Sequence, residues 1–205
     1  VASGIAAGAS VAAERSCCPF CAAPSLTLSE QVAQSDAVVL VQWVEGQKAR
    51  EVDGKRLPSS TTYQVREIVR SAGGSVKKGQ KVKLFRYRAA EPGDLFLLLG
   101  SKGINVEWGA PLEVSETSYQ YIVQAPAPEA PAQKRLAYFI KFLEFPDRLI
   151  ANDAYFEFAN SPYKDIVGIK ELIPRKKVRR WVSSSATPRT RMGLYGLLMG
   201  LGGSE

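Results

Sequence analysis

The sequence predicts an α+β protein in two parts, a small antiparallel β-barrel followed by an all-helical region. In the first part, short apolar stretches alternate with turn residues, as is typical of strands. In the second part, apolar residues recur at helical spacing. Between the two lies the stretch APAPEAPA at residues 125–132, and because a Pro/Ala-rich spacer is stiff and extended, we place the domain boundary there.

The clearest strand prediction is for residues 37–44, AVVLVQWV, an unbroken and largely β-branched apolar run. A run this short that does not alternate indicates a strand buried on both faces. Partner strands are predicted at residues 61–69, 81–87 and 94–100, and a last strand at 118–124 would close the barrel.

The alternation of apolar and polar residues in the strand predicted at 61–69 changes phase along its length. Ile68 and Val69 are out of register with Tyr63 and Val65, which predicts a β-bulge near Glu67. A bulge of this kind bends a strand around a small barrel.

Two connecting segments complete the first part. Thr27 and Glu30 stand at capping-box spacing, which predicts a short helix before the first strand. The polar residues 47–60 predict an exposed hairpin loop.

The second part predicts five short helices. Leu136, Phe139, Ile140 and Leu143 form one apolar helical face. The next helices are predicted from an Asp147 cap through Ala159, from Ser161 and Pro162 to Leu172, from Pro174 to Val182, and after Thr187 and Pro188. Short helices with proline at their starts are similar to HEAT-type α-solenoid packing, whose units stack on neighbours, so we expect the helical region 133–205 to be truncated.

Five clustered cations are the most distinctive chemical feature of the second part. A dense positive surface of this kind can hold phosphate, anionic lipid or a nucleic-acid backbone, and it is a candidate anion- or partner-binding site. The simpler interpretation, which the sequence favours, is the solvated face of a helix whose inner face is Val178, Trp181 and Val182. The five residues are Arg175, Lys176, Lys177, Arg179 and Arg180.

The three cysteines lie together at Cys17, Cys18 and Cys21. Cys18 and Cys21 form a C-P-F-C motif, which is the spacing of a thiol-disulfide oxidoreductase. Such a motif should follow a strand and open a helix, whereas only an apolar stretch precedes this one, so structural pairing in an oxidising compartment is the favoured prediction. Because the number is odd, one sulfur is left for a missing region or a partner.

Two further observations bound the function. The chain has no histidine, which excludes a Ser-His-Asp or Cys-His catalytic set and a His-bearing metal site built from this chain alone. Residues 1–13 are small, apolar and uncharged, and small residues at Val11 and Ala13 suit cleavage before Glu14. We therefore predict a signal-peptide remnant at 1–13 and an exported protein in the periplasm, cell envelope or extracellular space.

Several motifs in the first part together resemble a known family. They are CCPFC, SLTLSEQVAQSDAVVLVQWVEG, TTYQVREIVRS, KGQKVKL and GDLFLLLG, and over residues 17–124 they look like the netrin or tissue-inhibitor-of-metalloproteinase type of OB-fold domain. The resemblance implies an OB-like barrel over 14–124, as in exported bacterial proteins without an assigned activity. In the animal inhibitors a free N-terminal cysteine chelates a protease's zinc, but here Cys17 would lie behind Glu14, so protease inhibition does not carry over.

These observations predict a non-enzymatic, exported binding or scaffolding module with no cofactor and no metal site. The expected partner is a protein, bound through the helical face or the odd cysteine, and an anionic surface is the alternative. Two other functions remain open. They are a thiol-disulfide oxidoreductase using Cys18 and Cys21, and an OB-type nucleic-acid or polyanion binder whose groove is lined by Lys77, Lys78, Lys81 and Lys83 with Trp43, Phe85 and Tyr87 as stacking platforms.

Overall fold

A computed structural model describes residues 26–71, 73–74 and 76–203, and within them the fold is α+β. The strands are β1 (Ala37–Gln47), β2 (Arg50–Val52), β3 (Lys55–Leu57), β4 (Ser60–Arg70), β5 (Lys81–Leu84), β6 (Leu95–Lys102), β7 (Val106–Trp108) and β8 (Leu112–Glu113). The α-helices are α1 (Leu28–Gln34), α2 (Glu116–Gln124), α3 (Ala132–Phe139), α4 (Arg148–Ala159), α5 (Tyr163–Val167), α6 (Arg175–Ser183) and α7 (Met192–Leu201), with 3-10 turns at Lys170–Leu172 and Arg189–Arg191.

Strand β1 lies at the centre of an antiparallel sheet, as its unbroken apolar run predicts. It pairs with β4 on one side and with β6 on the other, and Leu40 lies directly opposite Leu97. All residues from Ala37 to Val41 are buried, because both faces of the strand are covered.

The predicted bulge in β4 is confirmed. Leu40 is opposite Glu67 but the next residue of β1, Val41, is opposite Val65, so Arg66 is the extra residue. The hairpin loop predicted at residues 47–60 is exposed over residues 47–58 and contains the short pair β2 and β3, while Ser60 is buried at the start of β4.

The sheet is open in the described part of the chain, so a closed barrel is not confirmed. The strand order is β5-β4-β1-β6-β7, with β8 also pairing with β6. The predicted closing strand at 118–124 was wrong, because this segment is helix α2. Ser115 caps that helix by accepting a hydrogen bond from the Ser118 N–H.

Two apolar clusters form the core, one on each face of the sheet. One is formed largely by residues of the sheet strands and includes Val39, Tyr63 and Phe96. The other lies between the opposite face and the helices, and it joins Leu97 of β6 to Phe139 of α3. The sheet and the helices therefore share one apolar cluster. The domain boundary at 125–132 stays a prediction.

The helical part matches most of the predicted helix starts. The Asp147 carboxylate accepts a hydrogen bond from the Leu149 N–H and caps α4, and Pro174 directly precedes α6. The helix predicted from Ser161 to Leu172 is shorter, because α5 ends at Val167 and a 3-10 turn follows at Lys170–Leu172. HEAT-type packing stays a prediction. None of the helices in residues 26–203 combines the length and the apolar character that crossing a bilayer requires.

Candidate partner-binding surface

Helix α6 is amphipathic and is anchored by its inner face. Val178 and Trp181 are buried and Val182 is half-buried, as the sequence predicts for that face. The indole ring of Trp181 packs against the ring of Tyr195 on α7, with centroids 5.2 Å apart. The outer face is therefore held in a fixed orientation toward solvent.

The five cations predicted on this helix are all exposed. They are Arg175, Lys176, Lys177, Arg179 and Arg180. The first three form the first helical turn, which contains no acidic residue. A positive charge at a helix N-terminus opposes the helix dipole, so the stability of α6 does not explain why these cations are there.

Most of these cations also lack an acidic neighbour. Within the described residues, no carboxylate lies within 4.0 Å of Lys176, Lys177, Arg179 or Arg180. The ion pairs found in that part of the chain lie elsewhere, as in Arg88–Glu113. Among the described residues, the charges of Lys176, Lys177, Arg179 and Arg180 therefore have no carboxylate partner. We call the outward face of α6 the cationic face.

A small groove adjoins the cationic face and was not predicted from the sequence. It has a volume of about 350 Å³ and lies where the end of α3 meets the start of α6. Leu172 in its wall is 54% exposed, so its apolar side chain is accessible to a partner. The lining residues are Ala137, Ile140, Lys141, Leu172, Pro174 and Lys177.

The four lysines predicted to line a groove of the sheet, Lys77, Lys78, Lys81 and Lys83, are all exposed. Lys81 and Lys83 lie on the outward face of the edge strand β5, a common position for lysines that protect an edge from pairing. Phe85 and Tyr87 are exposed, and Trp43 packs against the sheet core while its indole N–H donates to the Arg88 carbonyl at 3.0 Å. Packing explains Trp43 without a ligand.

A buried carboxylate pair on α4 was also missed by the sequence analysis. Asp153 accepts hydrogen bonds from the Leu28 N–H and the Tyr121 hydroxyl, both at 2.7 Å. Burial raises the pKa of Asp153 to about 6, and the negative charges of Glu157 and Glu30 add to the rise, while its two hydrogen bonds oppose it. The one-turn spacing of Asp153 and Glu157 beside the inward-facing Ala154 could have indicated the pair.

Glu157 is also fully engaged within the protein. Its carboxylate accepts a hydrogen bond from the Ser29 hydroxyl at 2.6 Å and forms an ion pair with Arg135 at 2.5 Å. Since each oxygen of both carboxylates has a protein donor, the pair holds α1 against α4. We assign it a structural role.

Another buried polar cluster positions α7, the helix against which α6 packs. Arg191 is buried and donates to the Leu143 carbonyl at 3.0 Å, to Glu144 at 2.8 Å and to Asn152 at 2.6 Å. The Tyr195 hydroxyl donates to the same Glu144 carboxylate. Because Tyr195 also contacts Trp181, this cluster fixes the helix that supports the cationic face.

The remaining predicted site residues cannot be placed in the same way. Cys17, Cys18 and Cys21 lie outside the described residues, as does the signal-like stretch 1–13. The oxidoreductase function therefore stays a prediction. Within the described ranges, no three acidic, cysteine or histidine side chains are grouped so that they could hold a metal ion.

No protein-family model, curated protein or solved structure matches this chain. The resemblance to netrin-like and HEAT-like proteins stays a prediction from the sequence motifs.

Proposed function

We propose that this chain is a non-enzymatic binding or scaffolding module of an exported assembly, and that the cationic face of α6 is its contact surface for a protein partner. The observation that carries the proposal is the group of exposed cations in the first turn of α6. They lie against the helix dipole, and Lys176 and Lys177 have no carboxylate within 4.0 Å among the described residues.

The energetics of these positions favour an acidic partner. A cation in the first turn of a helix is unfavourable by about 0.3–1 kcal/mol, an energy that an approaching carboxylate offsets. The buried inner face, with Val178 and Trp181, keeps the helix in place, so its backbone is preorganised and little backbone entropy is lost on binding. Uncompensated charge also accelerates the encounter with an oppositely charged partner.

The remaining parts of the proposal rest on the sequence. Export follows from residues 1–13 and the cysteine cluster, and an OB-like barrel followed by HEAT-like helices is the architecture that the quoted motifs imply. An antiparallel sheet with one apolar cluster made largely by its own strands and a second cluster shared with the helices supports that architecture.

Fluorescence anisotropy with labelled poly-L-glutamate tests the contact surface. We expect binding by the wild type that weakens as salt is raised, and binding about tenfold weaker by Lys176→Glu/Lys177→Glu, which reverses two charges in the first turn of α6. The matched control is Lys55→Glu/Arg56→Glu, which makes the same charge change on the exposed β3 strand, and it should bind like the wild type.

Two outcomes would overturn the proposal. One is an equal loss of binding in the α6 variant and the β3 variant, which would show a non-specific response to net charge. The other is tighter binding of single-stranded oligothymidylate than of polyglutamate through the same residues, which would indicate a nucleic-acid binder.

A further inference from the structure

We infer that the groove beside α6 receives one apolar side chain from an acidic segment of a partner protein. This inference rests on the proposed function and names the kind of segment that the cationic face binds. It follows from the shape of the groove, from the exposure of Leu172 and from the position of two lysines.

The size of the groove limits what can enter it. A volume of about 350 Å³ is near the lower end of the range of about 300–1,000 Å³ found for small-molecule pockets. The groove is open to solvent, and its apolar walls come from Ala137, Ile140, Leu172 and Pro174. Such a site fits a single anchoring side chain better than a whole ligand.

The exposed side of Leu172 gives the anchor its binding energy. Leu172 follows the short α5 and precedes Pro174, so the local backbone holds it at the mouth of the groove. An apolar side chain placed there removes more of the Leu172 surface from water. Pockets of this kind, surrounded by polar residues, are where a few side chains dominate a protein interface.

Charge complementarity selects the residues that flank the anchor. Lys141 follows α3 and Lys177 lies on α6, so the two ammonium groups reach the groove from different elements. Neither has a carboxylate within 4.0 Å in the described part of the chain. A segment with acidic residues next to its apolar anchor can pair with both lysines.

The structure favours a protein segment over two other anionic partners. The lining of the groove contains no aromatic ring on which a nucleobase could stack. A membrane-surface helix would offer apolar residues to the lipid, whereas Val178 and Trp181 of α6 point inward and are buried.

Two labelled peptides test the anchor. Both alternate Glu and Ser, and one carries a single central Leu where the other carries Ser. We expect the wild type to bind the Leu peptide about fivefold more tightly than the Ser peptide, because the groove takes up the added side chain. In Leu172→Ser this preference should disappear, and in the control Ile104→Ser, which removes an exposed apolar residue of the β6–β7 connection, it should persist. Near-ultraviolet circular dichroism of the aromatic side chains and thermal unfolding verify that each variant is folded.

The results separate this inference from the proposed function. Equal binding of the two peptides to the wild type, or a Leu preference that survives in Leu172→Ser, overturns the anchor while poly-L-glutamate binding still supports the cationic face. Loss of binding to both peptides and to poly-L-glutamate overturns the proposed function itself. Self-association of the wild type that Leu172→Ser abolishes, or tighter binding to phosphatidylglycerol vesicles than to the Leu peptide, assigns the groove to another occupant and also overturns the inference.

Discussion

The Asp153 carboxylate accepts a hydrogen bond from the backbone N–H of Leu28 at 2.7 Å, across 125 positions of the sequence. Leu28 is the first residue of α1, so a carboxylate of α4 satisfies one of the free N–H groups that every helix start leaves. The helix that leads into the central strand is in this way attached directly to the helical part of the molecule.

This buried carboxylate should make stability depend on pH. Burial raises the pKa of Asp153 from 3.8 to about 6, so the folded state holds its proton more tightly than the unfolded state does. The resulting stabilisation, about 3 kcal/mol, is present below about pH 4 and is lost as the pH rises through about 6. Urea unfolding of the wild type and Asp153→Asn across this range measures it. We expect the wild type to gain stability relative to Asp153→Asn on acidification, and a pH-independent difference between the two proteins would contradict the prediction.

The ion pair between Arg135 and Glu157 should behave as a buried pair. Glu157 is fully buried, so Arg135→Met leaves an uncompensated charge and should lower the free energy of unfolding by about 3–5 kcal/mol. Adding Glu157→Gln removes that charge and should recover part of the loss. Chemical denaturation of both single variants and the double variant measures the coupling, and strictly additive effects would disprove it.

Two glycines should respond in opposite ways to the same substitution. A Cβ at Gly100 would lie 2.5 Å from Val106 Cγ1 and 2.9 Å from the Trp108 ring, so Gly100→Ala should destabilise the protein by about 1–3 kcal/mol. Gly196 lies in α7 with no atom within 4 Å of the added carbon, and Gly196→Ala should stabilise it by about 1 kcal/mol. Thermal unfolding compares the two, and a neutral Gly100→Ala would be the contrary result.

A lysine in place of Arg191 should not be able to make all of the hydrogen bonds of the guanidinium group. The guanidinium bridges the Leu143 carbonyl, Glu144 and Asn152, which a single ammonium group cannot reach together. Arg191→Lys should therefore lower the free energy of unfolding by about 1–3 kcal/mol. Arg189→Lys, on the exposed side of the same turn, is the control and should leave unfolding unchanged.

The sequence predicts the parts of the fold that depend on local pattern. The unbroken run around Leu40, the phase change before Ile68 and the cap at Thr27 each correspond to an observed strand, bulge and helix. These features are local because side-chain periodicity and capping involve residues close together in the chain.

The strand predicted at 118–124 failed because a local pattern was ambiguous. Tyr119 and Tyr121 alternate as in a strand, but Tyr121 stacks on Tyr138 of α3 and its hydroxyl binds Asp153 of α4. These tertiary contacts favour the helix. The cap from Ser115 and the buried pair Tyr119 and Ile122, one turn apart, were the local evidence for it.

The candidate site was predictable only in part. Its cations are neighbours in the sequence, so their clustering on α6 could be anticipated. The groove could not, because Lys141, Leu172 and Lys177 come together only when α3 packs near the start of α6. The buried polar groups on Asp153 and Arg191 likewise depend on partners far away in the chain.

The apolar cluster shared by Leu97 and Phe139 has a practical consequence for work with fragments of this protein. Cutting the chain within residues 125–132 would give two fragments, each of which exposes to water the apolar surface that the other fragment covers in the intact protein. We therefore expect each fragment to aggregate when it is expressed alone, whereas co-expressed fragments should associate.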